Sequence, residues 1–165
     1  MILLKSILVA TDFSEPSGAA VAYGRELARS FGAQLTVFHA AGNAAARAYG
    51  SDAFVFIDPG LQSDVENAAR ARIEALSADE RRDGVNASAV VLTSNTPASA
   101  IVDYARQAGI DLIVMGTHGR GAVTHLLMGS VAERVVRTAP CPVLTVRHPE
   151  REFVLPDTLV AVASA

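Results

Sequence analysis

The 165-residue chain has no tryptophan, three tyrosines, six phenylalanines and one cysteine. The lone Cys141 has no intrachain disulfide partner and no Cys-x-x-Cys companion, so neither a disulfide framework nor a dithiol redox site is expected. Long apolar runs are also missing. Residues 7–10 and the Ala/Val tail fall far short of the roughly 20 residues needed to span a bilayer. Residues 1–12 contain a single lysine, Lys5, and no convincing signal-cleavage site, so a cytoplasmic location is expected. A basic excess is absent too: 14 Lys and Arg against 17 Asp and Glu give a net charge of −3, which argues against a general nucleic-acid binder.

What is present points to a globular α/β protein. Half of the residues are hydrophobic, and 30 alanines and 19 valines supply much of that half. Such small and β-branched side chains suit helices laid closely on a buried sheet. The length allows one core without metals or disulfides. Charge is unevenly distributed. Residues 116–148 hold Arg120, Arg134, Arg137 and Arg147 against Glu133 alone, a net +3, while ten basic and sixteen acidic residues elsewhere give −6. That segment is suited to an anion.

Strand patterns fall at 6–10 (SILVA), 34–40 (QLTVFHA), 86–92, 110–115 and 142–147. Between them lie helical patterns. Ser14-Glu15-Pro16 opens the first, with Val21, Gly24, Leu27, Ala28 and Phe31 on one face and Gly32 at its end. Residues 41–60 have no clear period and read as a connection. Leu61, Val65, Ala69, Ile73 and Leu76 mark a surface helix that stops before Asp83-Gly84, and its carboxylates, Glu80 among them, read as a solvated face. Thr96-Pro97 starts a helix carrying Ala98, Ile101, Val102 and Ala105, which ends at Gly109. Ser130 and Glu133 have the spacing of a capping box for a last helix through about Thr138. Alternating strands and helices predict one domain over residues 1–148: a three-layer αβα sandwich around an open, five-stranded parallel sheet of Rossmann-like type. Residues 149–165 are left as a tail or an intersubunit strand.

Ligands of such sheets bind beyond the carboxyl ends of the strands. Two loops there carry chemistry: Thr11-Asp12 after the first strand, and Gly116 to Gly121 after the fourth, leading to Gly129-Ser130 at a helix start. Glycines admit close backbone approach, and helix N-termini favour phosphate. A Walker A site is excluded, because Gly121 is followed by Ala122-Val123 instead of Lys and Ser or Thr. The loop also lacks the GxGxxG order of a dinucleotide fingerprint. A phospho-receiver is disfavoured, since Thr93-Ser94-Asn95 follows the third strand. His39, His125 and His148 read as packed histidines, and Cys141 as a small apolar residue.

The spacing G-x2-G-x9-G-[S/T], met by Gly116, Gly119, Gly129 and Ser130, together with DLIVMGTHG, GSVAERVVRTAPCPVLTV and Thr11-Asp12-Phe13-Ser14, closely resembles the nucleotide-binding branch of the universal stress protein family over residues 3–147. The resemblance implies an adenine nucleotide alpha hydrolase-like fold that binds ATP. Asp12 would meet the ribose or its neighbourhood. Ala10, Thr11 and Ala40 would border the base; the family usually has a larger aliphatic residue where Ala40 stands. Met115, Gly116, Thr117, His118, Gly119, Arg120, Gly121, Ser130, Val131 and Ala132 would surround the phosphates beside Gly129. No residue is assigned a catalytic role and no protein metal site is expected; Mg or Mn would be held through phosphate oxygens and water. A homodimer through the edge of the last strand, Val143–Val146, is also implied, with the tail as a second candidate. Three roles follow: a nucleotide-dependent switch or partner-binding dimer in the stress response, a slow ATPase or phosphotransferase for which only Asp12 and His118 are near the phosphates, and a nucleotide-free dimeric scaffold.

Overall fold

The computed structural model describes residues 2–43, 59–119 and 128–147. In chain order it contains β1 (Ser6–Ala10), α1 (Glu15–Phe31), β2 (Gln34–Ala41), α2 (Pro59–Arg82), β3 (Ala87–Thr93), α3 (Pro97–Gln107), β4 (Leu112–Gly116), α4 (Ser130–Thr138) and β5 (Val143–Val146). The five strands form one sheet in the order β3-β2-β1-β4-β5, and every neighbouring pair is parallel. This is the expected α/β architecture.

Successive strand side chains point to opposite faces, so a parallel sheet covered on both sides needs apolar residues at nearly every position. The chain supplies them. Ile7, Val9, Leu35, Val37 and Val114 join Ala20, Val21 and Ala28 of α1 and Ile73 of α2 in one core. Leu8, Ala10, Phe38, Ile113 and Met115 join Ala98, Ile101, Val102 and Ala105 of α3 and Ala132 and Val135 of α4 in the other. Helix α1 lies so close to β1 that a Cβ on Gly24 would overlap Cγ2 of Val9, a stiff and fully buried side chain.

Helices α1 and α2 end alike. Gly32 and Gly84 take left-handed backbone (φ 62° and 81°), while the following amides of Ala33 and Val85 donate to the carbonyls of Ala28 and Glu80. The Gly32 and Gly84 amides reach Arg29 and Arg81 in the same way, so two of the last carbonyls are satisfied at each end.

Several sequence expectations change. Strand β4 begins at Leu112, not at residue 110; Asp111, just before it, ties down the start of β1, its Oδ2 accepting the amides of Lys5 and Ser6 at 2.8 and 3.0 Å and its own amide donating to the Ser6 carbonyl at 2.9 Å. The capping box does not form. Gly129 is the N-cap of α4, its carbonyl taking the Glu133 amide at 2.9 Å, and Glu133 pairs with Arg137 one turn on. The apolar stripe of α2 meets the sheet only from Ala69 onward, leaving Leu61 and Val65 45% and 36% exposed. Phe31 is exposed at the end of α1. Glu80 is not on a solvated face: it is buried beside Arg25 of α1, with Nε to Oε2 at 3.8 Å. Burial pushes its carboxyl above the ordinary value, against the pull of Arg25. The tail 149–165, with His148 and His125, lies outside the described residues, as does most of the 41–60 connection.

Candidate functional site

The strand order reverses between β1 and β4, whose neighbours on either side run to opposite edges of the sheet. Crossover connections leave a crevice above such a point, at the carboxyl ends. A cavity of about 450 Å³ lies there. It brings together Ala10, Thr11, Asp12, Ala40, Met115, Gly116, Thr117, His118, Gly119, Gly129, Ser130, Val131 and Ala132. Arg120 and Gly121 fall outside the described residues.

The cavity has two kinds of wall. One is apolar, made by Phe38 and Ala40 of β2, Met115 of β4, Pro97 and Ile101 of α3 and Val131 of α4. The other is main chain. Gly129 donates its amide to the Thr117 carbonyl at 2.8 Å, which folds the start of α4 against the end of β4. The amides of Ser130, Val131 and Ala132 precede the first helical hydrogen bond, made by Glu133, and so lack a partner within the helix. Such amides, with the helix dipole behind them, favour an anion.

The glycines of this rim are required by close approach and not by left-handed backbone, because none of the three has positive φ. A Cβ on Gly116 would stand 3.1 Å from the His118 carbonyl oxygen and 3.2 Å from that of Pro16. One on Gly129 would stand 3.2 Å from the Thr117 oxygen, and one on Gly119 2.7 Å from Oδ2 of Asp12. Gly119 therefore makes room for the carboxylate.

The loop leaving β1 is tied down by its own side chains. Thr11 Oγ1 accepts the Phe13 amide at 3.0 Å and meets Ser17 Oγ at 3.0 Å. Asp12 Oδ1 accepts the Ser14 amide at 3.0 Å and the Ser14 hydroxyl as well. Phe13 is left-handed (φ 63°), a conformation rare for an aromatic residue and a form of strain that surrounding contacts must hold. Its ring meets the guanidinium of Arg72, 4.2 Å from the ring centre, and the ring of His39, at 4.4 Å between centroids. His39 Nδ1 donates to the Thr11 carbonyl at 2.8 Å, as befits a packed histidine that also borders the cavity. His118, also at the cavity, has Nδ1 3.1 Å from Thr117 Oγ1.

Two features differ from the sequence reading. The described arginines of the +3 segment do not line the cavity: Arg134 and Arg147 are exposed and Arg137 pairs with Glu133 at 2.9 Å. Among the described lining residues Asp12 is the one carboxylate, and the groups that suit an anion are amides. The cavity also takes in Ser17, Phe38, His39, Pro97 and Ile101. Phe38 was legible, since it shares a strand face with Ala40. Ser17 and Ile101 carried only helix periodicity. Cys141 stands apart from the site, and burial pushes its thiol above the usual range.

The sequence matches the model of the universal stress protein family over residues 4–147. It is 38% identical over 145 residues to the Thermus aquaticus universal stress protein in QAH/OAS sulfhydrylase 3′region, covering 88% of this chain and 100% of the relative. Among solved structures it is similar to MJ0577 of Methanocaldococcus jannaschii, with TM-score 0.78, 23% identity, and 91% and 100% of the two chains covered. It is also similar to a universal stress protein from Archaeoglobus fulgidus in complex with dAMP, with TM-score 0.62, 22% identity, and 88% and 99% covered. The chain therefore belongs to the universal stress protein family.

Proposed function

We propose that the chain binds an adenine nucleotide, ATP in the first place, in the cavity above β1 and β4. It acts in the stress response as a nucleotide-dependent switch or partner-binding dimer. The observation that carries this reading is the division of one cavity into an apolar wall and a wall of unpaired helix-terminal amides beside close-packed glycines. Its volume of about 450 Å³ lies within the roughly 300–1,000 Å³ usual for small-ligand sites. A flat base fits the wall of Ala10, Phe38, Ala40 and Ile101. Phosphates fit the Gly116 to Gly119 backbone and the amides of Ser130, Val131 and Ala132. The dAMP held by the Archaeoglobus fulgidus protein supports an adenine base in this fold.

Among the described residues no three His, Cys, Asp or Glu side chains converge as a metal cage. Mg or Mn would be held through the phosphate oxygens and water. The dimer would form at β5, an edge strand of the sheet, and the site of action would be the cytoplasm. No described helix is long and apolar enough to cross a membrane.

Mass spectrometry of small molecules released by denaturing the freshly purified protein tests the reading. An adenine nucleotide approaching one per chain is the expected result. A different cofactor class in that stoichiometry would overturn it.

A further inference from the structure

Phe13 stands in backbone that glycine ordinarily takes, and among the described residues it is the one non-glycine with positive φ. A bulky side chain persists in such a turn only where its surroundings hold it, so what the ring touches is informative. The ring packs against the core on the α1 and α2 face of the sheet. The apolar wall of the cavity, with Phe38, Ile101 and Met115, belongs to the core on the opposite face. Yet the two residues before Phe13, Thr11 and Asp12, line that cavity. One strained turn therefore joins the cavity to the far face of the sheet.

On that face the ring meets the guanidinium of Arg72, 4.2 Å from its centre. Arg72 differs from other arginines of α2. Arg81 pairs with Glu74 and Arg82 with Asp79, but among the described residues no carboxylate pairs with Arg72. Its charge lies against the ring instead, an attraction of the cation–π kind. No described residue of α2 lines the cavity, so the Phe13 ring is the route by which Arg72 reaches it.

We propose that Arg72 is a positioning residue of the nucleotide site: by holding the Phe13 ring it keeps the turn in the left-handed form that lays Thr11 and Asp12 along the cavity. Released from Arg72, the turn relaxes toward the backbone that phenylalanine prefers and draws those two residues away. A ligand packed on Thr11 and Asp12 selects the same left-handed form. Ligand and Arg72 thus favour one another through a single turn, and the coupling is reciprocal. This rests on the nucleotide reading above for its ligand and adds α2 as the element that tunes affinity.

ATP titrated calorimetrically into nucleotide-stripped full-length protein tests it in four forms: the unsubstituted chain, Arg72→Ala, Phe13→Gly and the two substitutions together. Arg72 is exposed, and glycine takes left-handed backbone without strain, so each variant should fold. Arg72→Ala should weaken ATP about two- to fivefold, as for one cation–π contact at an exposed position. In the Phe13→Gly background the same substitution should have no further effect, because the ring it acts on is gone. Arg72→Lys keeps a cation over the ring and should restore most of the affinity. Equal weakening by Arg72→Ala in both backgrounds would assign the effect to loss of a distant positive charge, and no weakening in the otherwise unsubstituted chain would deny Arg72 a role. Either result overturns the positioning role while leaving the nucleotide site standing. Failure of the unsubstituted chain to bind ATP would overturn the nucleotide reading, and this proposal with it.

Discussion

Glycine serves two distinct ends in this chain. At Gly32 and Gly84 it supplies left-handed backbone that closes a helix. At Gly24, Gly116, Gly119 and Gly129 it supplies the absence of a Cβ where two segments nearly touch. The two uses predict different losses. Gly24→Ala drives a methyl into Val9 on β1, far from the cavity, and should cost about 1–3 kcal/mol, as overpacking does. Urea unfolding checks this through a lower midpoint at unchanged slope, with nucleotide affinity retained in the folded protein. Gly119→Ala instead displaces Oδ2 of Asp12 at an exposed position. It should leave the unfolding midpoint within about 0.5 kcal/mol of the parent, as surface changes do, and weaken ATP binding.

At the scale of elements, the sequence was most informative where local chemistry and tertiary packing agree. SILVA at β1 and the Gly32, Gly84 and Gly109 stops all stand where the pattern put them. It was least informative where a polar group has a partner distant in sequence. Asp111, just before β4, accepts amides more than 100 residues away, and no local period records that. Ser130 had the spacing of a cap, yet Gly129 took the position because its amide reaches Thr117. The cavity's glycine rim was legible from spacing alone, and Ala40, Met115 and Val131 of its apolar wall from the family resemblance; Pro97 and Ile101 were not, because a helix-start proline and an apolar helix position are indistinguishable in sequence from ordinary helix and core.

Glu80 is the clearest case, a helix carboxylate buried by its approach to α1. Arg25 and Arg29 act on it from α1, both also paired with Glu26, and Asp79 and Asp83 flank it on its own side. Its carboxyl is raised chiefly by burial, so the folded state holds the proton more tightly than the unfolded chain does. Its contribution is fully present below the ordinary carboxylate value and is lost as pH rises through the folded value. Glu80→Gln, which stays neutral, should therefore gain stability over the parent as pH increases from 4 to 7. Thermal melts across that range check the sign; a deficit of the glutamine variant that widens toward pH 7 would contradict it.

For the whole molecule, the sheet order places the cavity near its middle and leaves β5 at an edge. Pro142 and Val146 direct their carbonyls to Ile113 and Thr117 on the β4 side, so the backbone groups of Val143 and Thr145 point outward. Among the described residues no strand pairs with this outward row, and such an edge is a template for a second copy. Thr145→Pro removes an outward donor and spares the ladder to β4, as an edge strand tolerates. Light scattering should show the dimer proposed at β5 shift toward monomer, with ATP affinity unchanged within about twofold, since β5 does not line the cavity. A dimer that persists would move the interface elsewhere.

The central claim is that the cavity above β1 and β4 takes an adenine nucleotide. Calorimetric titration of Mg-ATP into protein stripped of bound nucleotide tests it most directly. One ATP per chain is predicted, with affinity reduced about tenfold or more in Gly119→Ala, where a methyl would crowd Asp12. Absence of saturable ATP binding by the folded, stripped protein would contradict the claim.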